Sequence, residues 1–175
     1  MIEKLALNMA VKIKRNIPDH TASVSVLKYS LAIILNTAFI IIGSLIISLF
    51  TGKTTNVLIL LVAFALLRQV SGGIHLKSGT ACAVVTTAVF TVLSFFDANL
   101  FYTQIINSIS FVLVLTYAPS RIREQYKLPK RYYPLLKVIA ALFIIGSFII
   151  HSPTLAICFL VQSLTLISRR EVNSL

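Results

Sequence analysis

The feature that most constrains this chain is a succession of long apolar runs with almost no charge inside them. Residues 26–50 carry one charge, Lys28, near one end. A run of that length crosses a bilayer with some tilt. Residues 79–96, 100–118, 135–151 and 154–168 repeat the pattern, and 54–70 does so with a shorter apolar core at 57–67. Of the 175 residues, 57% are apolar and only 12% charged, and the mean hydropathy is +0.91. A soluble domain carries about 25% charged residues, so this chain lacks the polar surface to live in water. Disorder, collagen-like repeats and a nucleic-acid-binding domain are excluded on the same ground. The fold class is therefore all-α: a polytopic membrane protein of about six transmembrane helices. The net charge of +11 then reports topology and contact with anionic lipid, with no nucleic-acid partner.

The first residues do not read as a signal peptide, because their charges are spread along the segment. Ile2, Leu5, Met9 and Ile13 recur at helical spacing, with Glu3, Lys4, Asn8, Lys12 and Arg15 between them. Residues 1–20 are thus expected to form an amphipathic interfacial helix with a basic face, either a plain anchor or a dock for a substrate or second subunit.

Sidedness follows from the cations. If all six runs cross and the N-terminus is inside, 15 of the 16 Lys and Arg residues are cytoplasmic and only Lys53 is outside. That asymmetry obeys the positive-inside rule. It places both termini in the cytoplasm of a multi-pass cell-membrane protein. A re-entrant 54–70 would move the basic loop 119–134 outside, against the rule.

Residues 68–82 break the pattern. They read Arg68-Gln69-Val70-Ser71-Gly72-Gly73-Ile74-His75-Leu76-Lys77-Ser78-Gly79-Thr80-Ala81-Cys82. Three glycines interrupt otherwise helical sequence, which is tolerable at membrane depth only where protein or water covers the backbone. On one straight helix His75 and Cys82 would stand about 10 Å apart along the axis, so the break is expected to fold His75 back toward Cys82. Ser78 is a candidate N-cap for the helix bearing Cys82. A helix N-terminus and a nearby imidazolium both favour thiolate, and a Cys with a His base is the minimum set for thiol acyl transfer. The residues alone leave two readings open: a catalytic dyad, or a packed thiol beside an interfacial His.

The Arg-x-x-x-Gly-Gly-x-His-x-x-Ser-x-x-x-Cys run resembles the signature of the accessory gene regulator protein B (AgrB) family, membrane cysteine endopeptidases of Gram-positive quorum sensing. An Ala118-Pro119 step opening a basic loop agrees. The resemblance implies that 1–175 is a single integral membrane peptidase domain, with Cys82 as nucleophile, His75 as general base, and Arg68, Gly72, Gly73 and Ser78 supporting the site. It implies an AgrD-type propeptide substrate, cleavage of its C-terminal tail through an acyl-enzyme thioester, and thiolactone or lactone closure by a Cys or Ser of the peptide. It also implies a homodimer. Arg121, Arg123, Lys127, Lys130 and Arg131 would then attract an acidic substrate tail, or would set topology against anionic lipid.

No cofactor is expected and no metal, since Cys-x-x-Cys and His-x-x-x-His spacings are absent. Cys158, mid-run, reads as packing. No residue is identifiable as an orienter of His75. A peptide exporter without covalent chemistry and a membrane scaffold are the alternatives. An exporter usually lines its path with intramembrane charge, which these runs almost lack.

Overall fold

A computed structural model describes residues 1–18, 21–73, 78–120 and 129–167. Their regular structure is all helical. The seven α-helices are α1 (Ile2–Asn16), α2 (Val24–Thr51), α3 (Thr54–Ser71), α4 (Gly79–Leu93), α5 (Leu100–Tyr117), α6 (Tyr133–Ile150) and α7 (Pro153–Leu164), with a 3-10 turn at Lys130–Tyr132. They form two compact units. One holds α1, α2 and most of α4; the other holds α3, α5, α6 and α7.

Local chemistry sets the helix ends. Ser23 Oγ accepts from Val26 N at the start of α2, and Gly52 closes it with φ +68°. Asn99 Oδ1 accepts from Tyr102 N at the start of α5. Ser152 caps α7 and Pro153 stands at its first position, as an N-cap hydroxyl followed by proline leads one to expect.

In the first unit α1 packs along α2. The residues of α1 buried inside the protein are Ile2, Ala6 and Ala10; Leu5 and Met9 of the expected interfacial stripe point away from them. Leu5 and Met9 are 43% and 37% exposed. Alanines at i and i+4 leave a flat strip that lets a neighbouring backbone approach closely, so the smaller residues take the contact. α2 and α4 run parallel: a Cβ on Gly79 would lie 3.9 Å from Asn36 Oδ1, and one on Gly43 would lie 3.6 Å from Thr87.

The second unit inverts the soluble pattern. Thr103, Asn107 and Ser110 of α5, Ser147 of α6, and Gln162 and Ser163 of α7 are fully buried, while Ile149, Ile150, Leu100 and Phe101 face outward. Ser147 Oγ donates to Asn107 Oδ1 at 2.9 Å. A lipid solvent gives apolar side chains no reason to hide, and neutral polar side chains bond helices together instead. The C-terminal ends of α3, α5 and α7 meet, and the start of α5 meets the end of α6, where Gln104 Nε2 donates to Phe148 O.

Four helices, α2, α3, α5 and α6, are long and apolar enough to cross a membrane, fewer than the six expected. The expected spans 79–96 and 154–168 become helices of 15 and 12 residues. These rise only about 22 and 18 Å, against a hydrocarbon core of about 30 Å. Each ends in a tightened turn. Phe95 N and Phe96 N bond three residues back, and so do Leu166 N and Ile167 N. The shortest apolar core, 57–67, instead lies in a full 18-residue helix.

Candidate active site

α3 ends at Ser71, and the glycines expected to break the chain do so. Gly72 and Gly73 have φ of +75° and +125°, which side-chain-bearing residues rarely adopt. Gly72 N still bonds Arg68 O at 2.9 Å. Arg68, half-buried in the last turn, lies with its guanidinium carbon 5.6 Å from the Phe64 ring centre. Beyond it the backbone pairs with residues just past α5. Ser120 N donates to Ser71 O at 2.9 Å and Gly73 N donates to Ser120 O at 3.1 Å.

A buried amide locks this turn. Gln162 Nε2 donates to Gly72 O at 2.7 Å and to Ser71 Oγ at 3.2 Å. Thr165 Oγ1 donates to Gln162 O at 2.7 Å and fills the space beside Gly73, where a Cβ would stand 2.6 Å from it. Gln162, Thr165 and Ser120 escaped the sequence reading. A polar residue inside the run 154–168 was the available signal for Gln162, because intramembrane polar groups need partners.

Ile74 to Lys77, and so the expected fold-back of His75, lie outside the described residues. The helix from which His75 would have had to reach Cys82 in a straight line is interrupted, since α3 stops at Ser71 and α4 begins at Gly79.

The start of α4 is densely capped. Ser78 Oγ accepts from Ala81 N at 3.4 Å, in the N-cap role expected of it, and Ser78 O accepts from Cys82 N at 2.9 Å. From α1, Glu3 Oε1 accepts from Gly79 N at 3.5 Å, and Ile2 N donates to Thr80 Oγ1 at 3.2 Å. Cys82 is a free, half-exposed thiol one turn into this helix. Asn36 of α2 stands beside Gly79. It is 8% exposed, and its Oδ1 has no hydrogen-bond partner among the described residues. Leaving such a group unpaired costs about 1–3 kcal/mol.

Other candidates separate from this region. Cys158 is buried, its Sγ donating to Leu60 O at 3.7 Å, and so packs as expected. Arg121, Arg123 and Lys127 lie outside the described residues. Lys130 opens the 3-10 turn, and Arg131 is exposed, stacked 4.8 Å from the ring centre of Tyr132.

Residues 6–168 match the family model described as Accessory gene regulator B. The chain belongs to the accessory gene regulator B family. An AgrB-like protein of Halalkalibacterium halodurans is similar to it, 31% identical over 120 residues. That match covers 68% of this chain and spans about three fifths of the relative, 61%. No solved structure matches it. Within this AgrB-family chain, the motif from Arg68 to Cys82 spans the locked Gly-Gly turn and the capped start of α4.

Proposed function

We propose that this protein is a membrane-embedded cysteine endopeptidase that processes an AgrD-type propeptide. One observation carries the reading. Of its two thiols, Cys82 is half-exposed at the capped N-terminus of α4, after a glycine break, whereas Cys158 is buried in packing. His75 removes the Cys82 proton, and the thiolate attacks the carbonyl carbon at the end of the signal core. The tetrahedral oxyanion collapses, His75 returns the proton to the departing amine, and the C-terminal tail leaves. A thiol or hydroxyl within the bound peptide then attacks the resulting thioester, closing a thiolactone or lactone and releasing Cys82. Exclusion of water favours ring closure over hydrolysis. Arg68, Gly72, Gly73 and Ser78 shape the segment carrying the pair. The basic residues of 119–134 face the cytoplasm and draw in an acidic tail. The protein works as a homodimer in anionic lipid, with both termini cytoplasmic.

The test is cleavage of a synthetic propeptide in proteoliposomes, with the acyl-enzyme sought by mass spectrometry. Cys82→Ala abolishes both tail release and the covalent adduct, while Cys158→Ala keeps most activity. Tail release by Cys82→Ala would overturn the reading.

A further inference from the structure

Near the start of α4, the polar side chains of Ser78, Glu3 and Thr80 have partners. Ser78 Oγ serves Ala81 N, Glu3 serves Gly79 N, and Thr80 Oγ1 serves Ile2 N. The exception is Asn36. Its Oδ1, buried beside Gly79, has no partner among the described residues. Two other buried amides also have an orphaned atom, but each is anchored through its second atom: Asn107 Oδ1 accepts from Ser147, and Gln104 Nε2 bonds Phe148 O and His151. No such anchor exists for Asn36 among the described residues. The orphaned hydroxyls of Ser44 and Ser163 can rotate onto a carbonyl of their own helix. An amide oxygen has no such recourse, because the interior of α2 holds no free N–H. With Oδ1 placed as it is, its donor comes from outside α2.

Position says what brings it. Asn36 lies twelve residues into α2, level with the first residue of α4. Gly79 and Cys82 are three apart on α4, so they share a face with Cβ positions about 5–6 Å apart. Gly79 packs against Asn36 and Ile2: a Cβ there would meet Asn36 Oδ1 and Ile2 Cγ2 at ordinary contact distance, 3.9 Å. A peptide group one or two residues from a bond cut at Cys82 would therefore lie within reach of the Asn36 amide. A primary amide presents one acceptor and two donors, the complement of a backbone N–H and C=O.

We infer that Asn36 is a substrate-binding residue: its buried amide pairs with the backbone of an extended peptide segment adjoining the bond cleaved at Cys82, the substrate N–H donating to Oδ1 and Nδ2 donating to a substrate carbonyl. This inference rests on the peptidase reading above. It assigns Asn36 to holding the peptide, not to activating the thiol.

The experiment uses the full chain in proteoliposomes with the synthetic propeptide. Asn36→Leu keeps the shape and removes both hydrogen-bonding atoms. It raises KM about fivefold, the share of one or two neutral hydrogen bonds. It leaves the alkylation rate of Cys82 by a small reagent unchanged, and it does not lower thermal stability, because an unpaired buried group has been removed. A merely structural Asn36 would do the reverse, lowering stability and altering alkylation, and that result overturns the inference. A backbone N-methyl scan of the propeptide gives a second readout. The methyl that raises KM most in the native protein has no further effect in Asn36→Leu. Additive effects at every position overturn the inference, as does an unchanged KM. If Asn36→Leu fails to accumulate, Asn36→Ala takes its place in both measurements. Cys82→Ala runs in parallel. Cleavage by that variant defeats the peptidase reading itself, whereas a dead Cys82→Ala with a native KM in Asn36→Leu defeats only the role of Asn36.

Discussion

Gln162 Nε2 donates to the carbonyl oxygen of Gly72 at 2.7 Å, across ninety residues of chain and with the side chain wholly buried. The bond satisfies a carbonyl that the end of α3 leaves without a helical partner. It also ties the first half of the Gly-Gly turn to α7, while Ser120 ties the second.

Replacing Gln162 by Leu should therefore be costly. The variant orphans a buried carbonyl and the Ser71 hydroxyl, for about 1–3 kcal/mol of stability. Thermal unfolding in detergent should show a lower Tm for Gln162→Leu than for Cys158→Ala, with propeptide cleavage falling in step. Equal Tm values would mean that the bond is not made.

Gly73 carries two separable constraints, its φ of +125° and the Thr165 hydroxyl 2.6 Å from where a Cβ would sit. Gly73→Ala should lose about 1–3 kcal/mol from the backbone conformation alone, plus a steric share. Adding Thr165→Ala should return the steric share and no more, a non-additive pair in a double-mutant cycle. Gly43→Ala, whose Cβ would meet Thr87 at an ordinary 3.6 Å, serves as the near-neutral control.

Ser78→Ala removes the side-chain cap of α4, and N-cap losses of this kind run at about 1 kcal/mol. The helix start carrying Cys82 should fray. Hydrogen exchange at Ala81 should speed up severalfold, and Ser78→Asp should restore protection. Unchanged exchange at Ala81 would count against the cap.

Topology can be read by cysteine labelling of intact cells. Within one unit α2 and α4 run parallel, and within the other the ends of α3, α5 and α7 gather away from the end of α6. Single cysteines at 53 or 98 should label from outside, and one at 127 should not. Outside labelling at 127 would reverse the orientation.

The sequence by itself determined the solvent and the helices. Long uncharged runs require lipid, and lipid requires helices whose backbone groups bond internally. Both are local properties, so Ser78 and Ser152 were readable as caps from their immediate neighbours. The glycine break at 72–73 was legible for the same reason. Only the tertiary structure decided which face of α1 packs inside the protein, where Ala6 and Ala10 are buried and Leu5 and Met9 are not. It alone decided that 79–96 and 154–168 fall short as helices, because the tightened turns that end them depend on surroundings as well as composition. It also brought Gln162 to Gly72 and Asn36 to Gly79. In lipid the buried polar partners are specific hydrogen bonds between distant segments, and periodicity carries no record of which pairs will meet.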